Sequence, residues 1–190
     1  MIETHAHIYD EQFSEDRKEM LQRAKQVGIK GIWMPNCDSG TIVGMLALEE
    51  ANPGFCLPMM GLHPCYVKED YKDELAIVEQ WLSERPFQMI GEIGLDFYWD
   101  LSFVKEQEEV FLSQLELAQK YTLPICIHSR NSKTNEHNAI IRCCELIEKF
   151  AWKGLRGIFH CFSGNLEEAK RVIDLNFLLG IGGVATFKNG

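Results

Sequence analysis

His5 and His7 stand two residues apart in Glu3-Thr4-His5-Ala6-His7, and Glu92, His128 and His160 each fall at or near the end of a short apolar run. Side chains alternate along an extended segment, so His5 and His7 share one side, with Glu3 below them. Neutral imidazole and carboxylate together suit Zn²⁺, and Mn²⁺ or Mg²⁺ as the carboxylate share rises. A single glutamate between two pairs of histidines fits a bridging role. Two cations about 3.5–4 Å apart activate water and clamp a phosphodiester for in-line attack. A His-x-His pair alone occurs on ordinary surfaces, and histidines with satisfied hydrogen bonds in a core are the competing reading. The set of five, drawn from four different runs, favours a site for two divalent metal ions.

Such a site needs elements that bring the runs together. Strands are expected over Ile2–Ile8, Gly31–Pro35, Cys56–Leu62, Gln88–Ile93, Pro124–His128, Leu155–His160 and Phe177–Ile181, several of them nearly continuous apolar runs. Helical patterns lie between them: Glu15–Val27, Gly40–Ala51, Tyr71–Glu84, Phe103–Tyr121, Asn135–Phe150 and Leu166–Leu175. Their ends coincide with Gly28, Asn52-Pro53-Gly54 and Arg85-Pro86. Strands separated by helices imply a parallel sheet of right-handed βαβ units. No glycine-rich fingerprint follows the first strand, which weakens an open dinucleotide-binding sheet. The fold expected is α/β, a (β/α)₈ TIM-type barrel, whose C-terminal strand ends gather in one mouth. Such barrels take about 250 residues. The expectation is therefore one metal-dependent hydrolase barrel domain over residues 1–190, C-terminally incomplete, truncated before the last strand and final helices.

Composition narrows the classes further. The 190 residues are 46% hydrophobic and 25% charged, ordinary for a globular protein. No apolar run reaches membrane-spanning length, and the N-terminus shows no signal-peptide pattern, so a cytoplasmic location is expected. Seven cysteines, an odd number with no C-x-x-C pair, read as buried thiols in a reducing compartment. The net charge of −9 argues against a broad basic surface for nucleic acid. A local site whose cations supply the positive charge remains compatible with a nuclease.

Glu3-Thr4-His5-Ala6-His7, Gly61-Leu62-His63-Pro64, Gly91-Glu92-Ile93-Gly94-Leu95-Asp96, Pro124-Ile125-Cys126-Ile127-His128-Ser129-Arg130, His160-Cys161-Phe162-Ser163-Gly164 and Thr186-Phe187-Lys188 follow one another along the chain. This ordered set resembles the successive motifs of the TatD-like hydrolases and spans residues 3 to 188. The resemblance implies an amidohydrolase-like barrel, divalent metals, and hydrolysis of DNA phosphodiester bonds, exonucleolytic on single strands or ends. Carried over by position, His5 and His7 hold one metal with Glu92, which bridges to a second held by His128 and His160. His63 then lies near the substrate phosphate or in an outer layer, and Arg130 contacts phosphate. Glu92, His63 and Arg130 are thus the catalytic candidates, and DNA the expected partner. Related barrels that cleave C–N or ester bonds of small metabolites share the histidine pattern, though many place a carbamylated lysine where Glu92 stands. That activity, or a truncated barrel without turnover, is the alternative.

Three positions depart from the family pattern. Glu3 stands where an Asp is usual, Asn135 lies near the place of an acidic residue, and the Asp of the family's final strand has no counterpart here. Asp96 reads equally as an orienter of a ligand and as a turn or cap former. Phe97, Tyr98 and Trp99 read equally as a base-stacking group and as an aromatic cap on the mouth. Lys188 and His137 read as surface residues, Cys143-Cys144 as part of a core face, and Cys126 and Cys161 as pointing away from the ligands.

Overall fold

The computed structural model of the chain describes residues 1–134, 136–150 and 152–188. Among these residues six strands and six α-helices alternate: α1 Arg17–Gln26, β1 Ile32–Pro35, α2 Ile42–Ala51, β2 Cys56–Met59, α3 Tyr71–Glu84, β3 Ile90–Asp96, α4 Val104–Tyr121, β4 Ile125–Arg130, α5 Ala139–Phe150, β5 Gly157–Phe159, α6 Leu166–Asp174 and β6 Phe177–Leu179. All pairings are parallel: β1 with β2, then β3, β4, β5 and β6 in sequence order. A bridge between Met60 and Ile90 joins the two groups. Strand order thus follows chain order throughout, as a barrel wall requires. Among the described residues no helix is long and apolar enough to cross a membrane.

The expected first strand is the main difference. Ile2–Ile8 contributes one bridge, Glu3 to Ile32, and no strand. Its backbone still runs beside β1, through Glu3 N–H to Gly31 O, Trp33 N–H to Glu3 O and Ala6 N–H to Trp33 O, at 2.9–3.0 Å. The segment then turns away. Arg17, at the start of α1, donates to the carbonyls of Ile8, Tyr9 and Asp10 at 2.7–3.0 Å and holds that turn. A guanidinium with five donors suits three converging carbonyls.

Helix ends follow local chemistry. Gly28, one residue past the C-cap of α1, takes φ +86°, which only glycine adopts without strain. Asp38 and Thr41 form a capping box ahead of α2, and Asn165 and Glu168 form another at α6. Every residue of β3 is buried, which accounts for its unbroken apolar character around Glu92. The main core lies between strands and helices, with Phe111, Leu115 and Ala118 of α4 against Ile93 and Leu95. A smaller cluster, Met59, Met89, Cys126 and Ile158 with Trp33 against it, takes one side chain from each successive strand region. Cys126 lies two residues before His128 and so shares its side of β4. The expectation that this thiol points away from the ligands is corrected by that alternation: Cys126 sits one layer below them. Cys161 is off the strand, exposed, with φ +44°.

Candidate metal centre

Glu92 is 1% exposed in the middle of β3, and ring nitrogens of five histidines surround its carboxylate. His5 Nε2 lies 2.6 Å and His7 Nε2 3.2 Å from Oε2. On the other oxygen, Oε1, His160 Nε2 lies at 2.5 Å, His128 Nδ1 at 2.7 Å and His63 Nε2 at 3.4 Å. The two oxygens therefore face two groups of imidazoles. His5 and His160 are stacked, with centroids 3.7 Å apart, so His160 stands beside His5 as well as 3.4 Å from His128. Ligand atoms of His5, Glu92 and His160 lie within 4.8 Å of one another, as do those of His63, Cys65 and His128. Cys65 has no part in the reading of the sequence; its only signal was its place in the loop directly after His63-Pro64.

Three hydrogen bonds fix which ring nitrogen faces the centre. Tyr9 Oη donates to Pro35 O at 2.6 Å, so toward His7 Nδ1, 3.0 Å away, it accepts. His7 then carries its proton on Nδ1 and turns the Nε2 lone pair inward. His128 Nε2 lies 2.8 Å from Asp96 Oδ2, which puts the proton on Nε2 and leaves Nδ1 for the centre. His63 is the opposite case. Its Nδ1 accepts the Cys65 backbone N–H at 3.0 Å, so its proton sits on Nε2, facing the centre as a donor.

Electrostatics follow. Burial opposes ionisation of Glu92, but His160, His63 and His128 outweigh it and hold the carboxyl well below its usual range. Burial opposes charge on His128 as well, yet Asp96 and Glu92 lift its pKa to about 9. His7 is raised to about 9 against burial by Cys37 and Glu92. Burial pushes His63 and His160 down. A buried carboxylate that draws protons onto imidazoles around it marks a place where positive charge is stabilised. Divalent cations fit this donor set: imidazole nitrogens and a shared carboxylate, with His7 and His128 each already oriented by a partner, Tyr9 and Asp96.

Asp96 serves both roles the sequence left open. Besides Oδ2 on His128, its Oδ1 accepts the backbone N–H groups of Tyr98 and Trp99, and its carboxyl is held at about 2 by these contacts against burial. Glu3 Oε1 accepts the His5 backbone N–H at 3.0 Å, bracing the ligand's main chain. Arg130, exposed at the end of β4, lies over the Tyr98 and Trp99 rings at the rim. Lys188 and His137 are exposed, and Asn135 lies outside the described residues. The expected partners Glu92, His5, His7, His63, His128 and His160 are all brought together.

Reading of the sequence missed the supports beneath them. Gln114 bonds both backbone groups of Leu62, the residue before His63, and Gln107 accepts the Asp96 N–H at 2.9 Å. Both are buried glutamines on the apolar face of α4, a polar intrusion that could have marked them. Buried Asn36 donates to Gly61 O at 2.8 Å, while its carbonyl receives the Glu92 N–H, tying β1, the loop after β2, and β3. A separate cleft lies between α1 and α2, lined by Lys18 and Lys25 among others, and none of the candidate metal-binding residues lines it.

A family model described as TatD related DNase matches residues 2–190. The uncharacterized metal-dependent hydrolase YabD of Bacillus subtilis is 33% identical over 190 residues, covering 100% of this chain and 71% of the relative. A protein named 3′-5′ ssDNA/RNA exonuclease TatD, from Pantoea vagans, is 30% identical over 96% of this chain and 68% of its own length. Among solved structures, YjjV, a TatD homolog from Escherichia coli, superposes with a TM-score of 0.86 at 30% identity, over 98% of this chain and 70% of that one. This chain shares the TIM-type barrel fold of that solved structure. Matched by the family model along almost its whole length, this chain belongs to the TatD related DNase family.

Proposed function

We propose that this protein hydrolyses phosphodiester bonds of single-stranded DNA from its ends, in the cytoplasm, at two divalent cations (Mg²⁺, Mn²⁺ or Zn²⁺). The observation that carries the reading is Glu92, a buried carboxylate whose two oxygens face separate groups of histidines. His5, His7 and Glu92 are proposed to hold one cation, and Glu92, His128 and His160 the other, within one barrel domain. When bound, two such cations lower the pKa of water and neutralise charge on a phosphate in flight. The chain's own groups do the rest. Glu92 stays ionised under its imidazole neighbours, so both sides of the site keep an anion at neutral pH. Asp96 and Tyr9 hold His128 and His7 in tautomers that point lone pairs inward. His63 presents Nε2–H, a donor suited to a phosphate oxygen or a departing alkoxide. Arg130 supplies a planar cation at the rim for the next phosphate along. The name of the Pantoea vagans relative supports a strand without a partner as the substrate.

The test is release of nucleotides from end-labelled single-stranded DNA with Mn²⁺ or Mg²⁺, beside Glu92→Gln. Metal-dependent release that disappears in the variant is the expected result. Release that survives Glu92→Gln, or none from the parent, overturns the proposal.

A further inference from the structure

The three aromatic residues after Asp96 separate into two kinds. Phe97 is buried in the core, whereas Trp99 leaves 66% of its surface exposed and Tyr98 is half-buried beside it. The rings of Tyr98 and Trp99 meet edge to face, 4.9 Å apart. Across the sheet, Asp96 is in register with Arg130, whose carbonyl receives the Phe97 N–H. The Arg130 guanidinium lies 4.0 Å from the Tyr98 centroid and 5.2 Å from that of Trp99, and Lys133 Nζ lies 4.9 Å from Tyr98. Among the described residues neither cation forms an ion pair, in a chain of net charge −9. Two unpaired cations held over two rings offer a π-face and positive charge side by side. Asp96 fixes their distance from the centre, because the same carboxylate that binds His128 caps the Tyr98-Trp99 turn.

We propose that Trp99, Tyr98, Arg130 and Lys133 form a subsite for one unpaired nucleotide, its base stacked on Trp99 and its phosphate on Arg130 and Lys133. The proposal rests on the nuclease reading above and adds the feature that selects single strands. A stacked π-face is sequence-tolerant but needs a base out of its helix. In a duplex only the phosphate contacts remain.

The test measures anisotropy of a labelled oligothymidylate, an abasic strand of equal length and a duplex, with Ca²⁺ as the bound cation. Trp99→Ala is expected to weaken oligothymidylate about 10-fold, or about 1.4 kcal/mol. The abasic strand and the duplex are expected to shift by less than about twofold, and Trp99→Phe to restore most of the loss. Equal losses on the oligothymidylate and abasic strands, or no loss on either, overturn the subsite. Metal-dependent cleavage by the parent is scored separately. Cleavage without the Trp99 effect defeats the subsite alone, and the Trp99 effect without cleavage defeats the nuclease reading alone.

Discussion

Replacing Asp96 by Asn keeps the size of the side chain and removes its charge, and the structure dictates how the amide must sit. Oδ1 receives two backbone N–H groups, at 2.9 Å from Tyr98 and 3.1 Å from Trp99, so the amide oxygen is required there. The NH₂ then faces His128 Nε2, now 2.8 Å from Oδ2. Two donors cannot share that contact, so Nε2 becomes the acceptor and the ring proton moves to Nδ1. Nδ1 is the atom that faces Glu92 at 2.7 Å, and its lone pair is lost to a cation. Hydrogen bonds to charged groups contribute about 1.5–3 kcal/mol. Removing the carboxylate behind a ligating histidine costs roughly 10–100-fold in metal affinity, or about 1.4–2.8 kcal/mol. The two routes agree. Calorimetric titration of the metal-free protein with Mn²⁺ and Zn²⁺ is expected to show that loss, and ¹⁵N-resolved imidazole spectra taken above pH 9, where the parent's His128 is neutral and bare at Nδ1, to show the ring proton on Nδ1. An affinity within about threefold of the parent, with Nδ1 still bare, refutes the argument that Asp96 sets the tautomer.

Other outcomes follow from the same geometry. Tyr9→Phe removes the acceptor for His7 Nδ1–H, and a neutral hydrogen bond of about 0.5–1.5 kcal/mol corresponds to roughly 2–12-fold weaker Mn²⁺ binding by titration. Gly94→Ala puts a Cβ 2.1 Å from His128 O at φ +136°; overpacking and strain together cost about 2–5 kcal/mol in urea unfolding. In the metal-free protein, His7 and His128 titrate near 9 against an ordinary 6.5. Raised pKa values give stability that is fully present below pH 6.5 and lost as pH rises through 9, so Tm is expected to fall across that window. Scanning calorimetry at constant ionic strength checks it, and a flat or rising Tm contradicts it.

How much of this was legible depended on how local the cause was. The bounds of α3, Tyr71–Glu84, follow from the sequence because Arg85-Pro86 ends the helix from within the chain itself. The gathering of the candidate residues was legible because parallel strands carry their C-terminal ends to one side, and the side chains of five histidines and Glu92 do meet. Ile2–Ile8 has the apolar spacing of a strand, but only Glu3 bridges to β1 before Arg17 draws the chain aside. Gln107, Gln114 and Asn36 act across 11 to 52 residues, through backbone groups that no pattern of residue types reveals. The placement of Cys126 needed only the alternation already applied to His5 and His7, carried one step further along β4.

The lightly fastened first segment has a consequence for how the proposed site would respond to a cation. His5 and His7 ride on ten residues fastened by a few main-chain hydrogen bonds and by the three carbonyls that Arg17 gathers. Glu92, by contrast, is immobilised in the middle of the sheet. On the proposed reading, His5, His7 and Glu92 would hold one cation between them and so clasp the start of the chain onto the sheet. Amide hydrogen exchange over residues 5–9 is therefore expected to slow sharply on metal addition while β3 stays protected throughout. On that reading, loading the site and fastening this end of the chain would be one event.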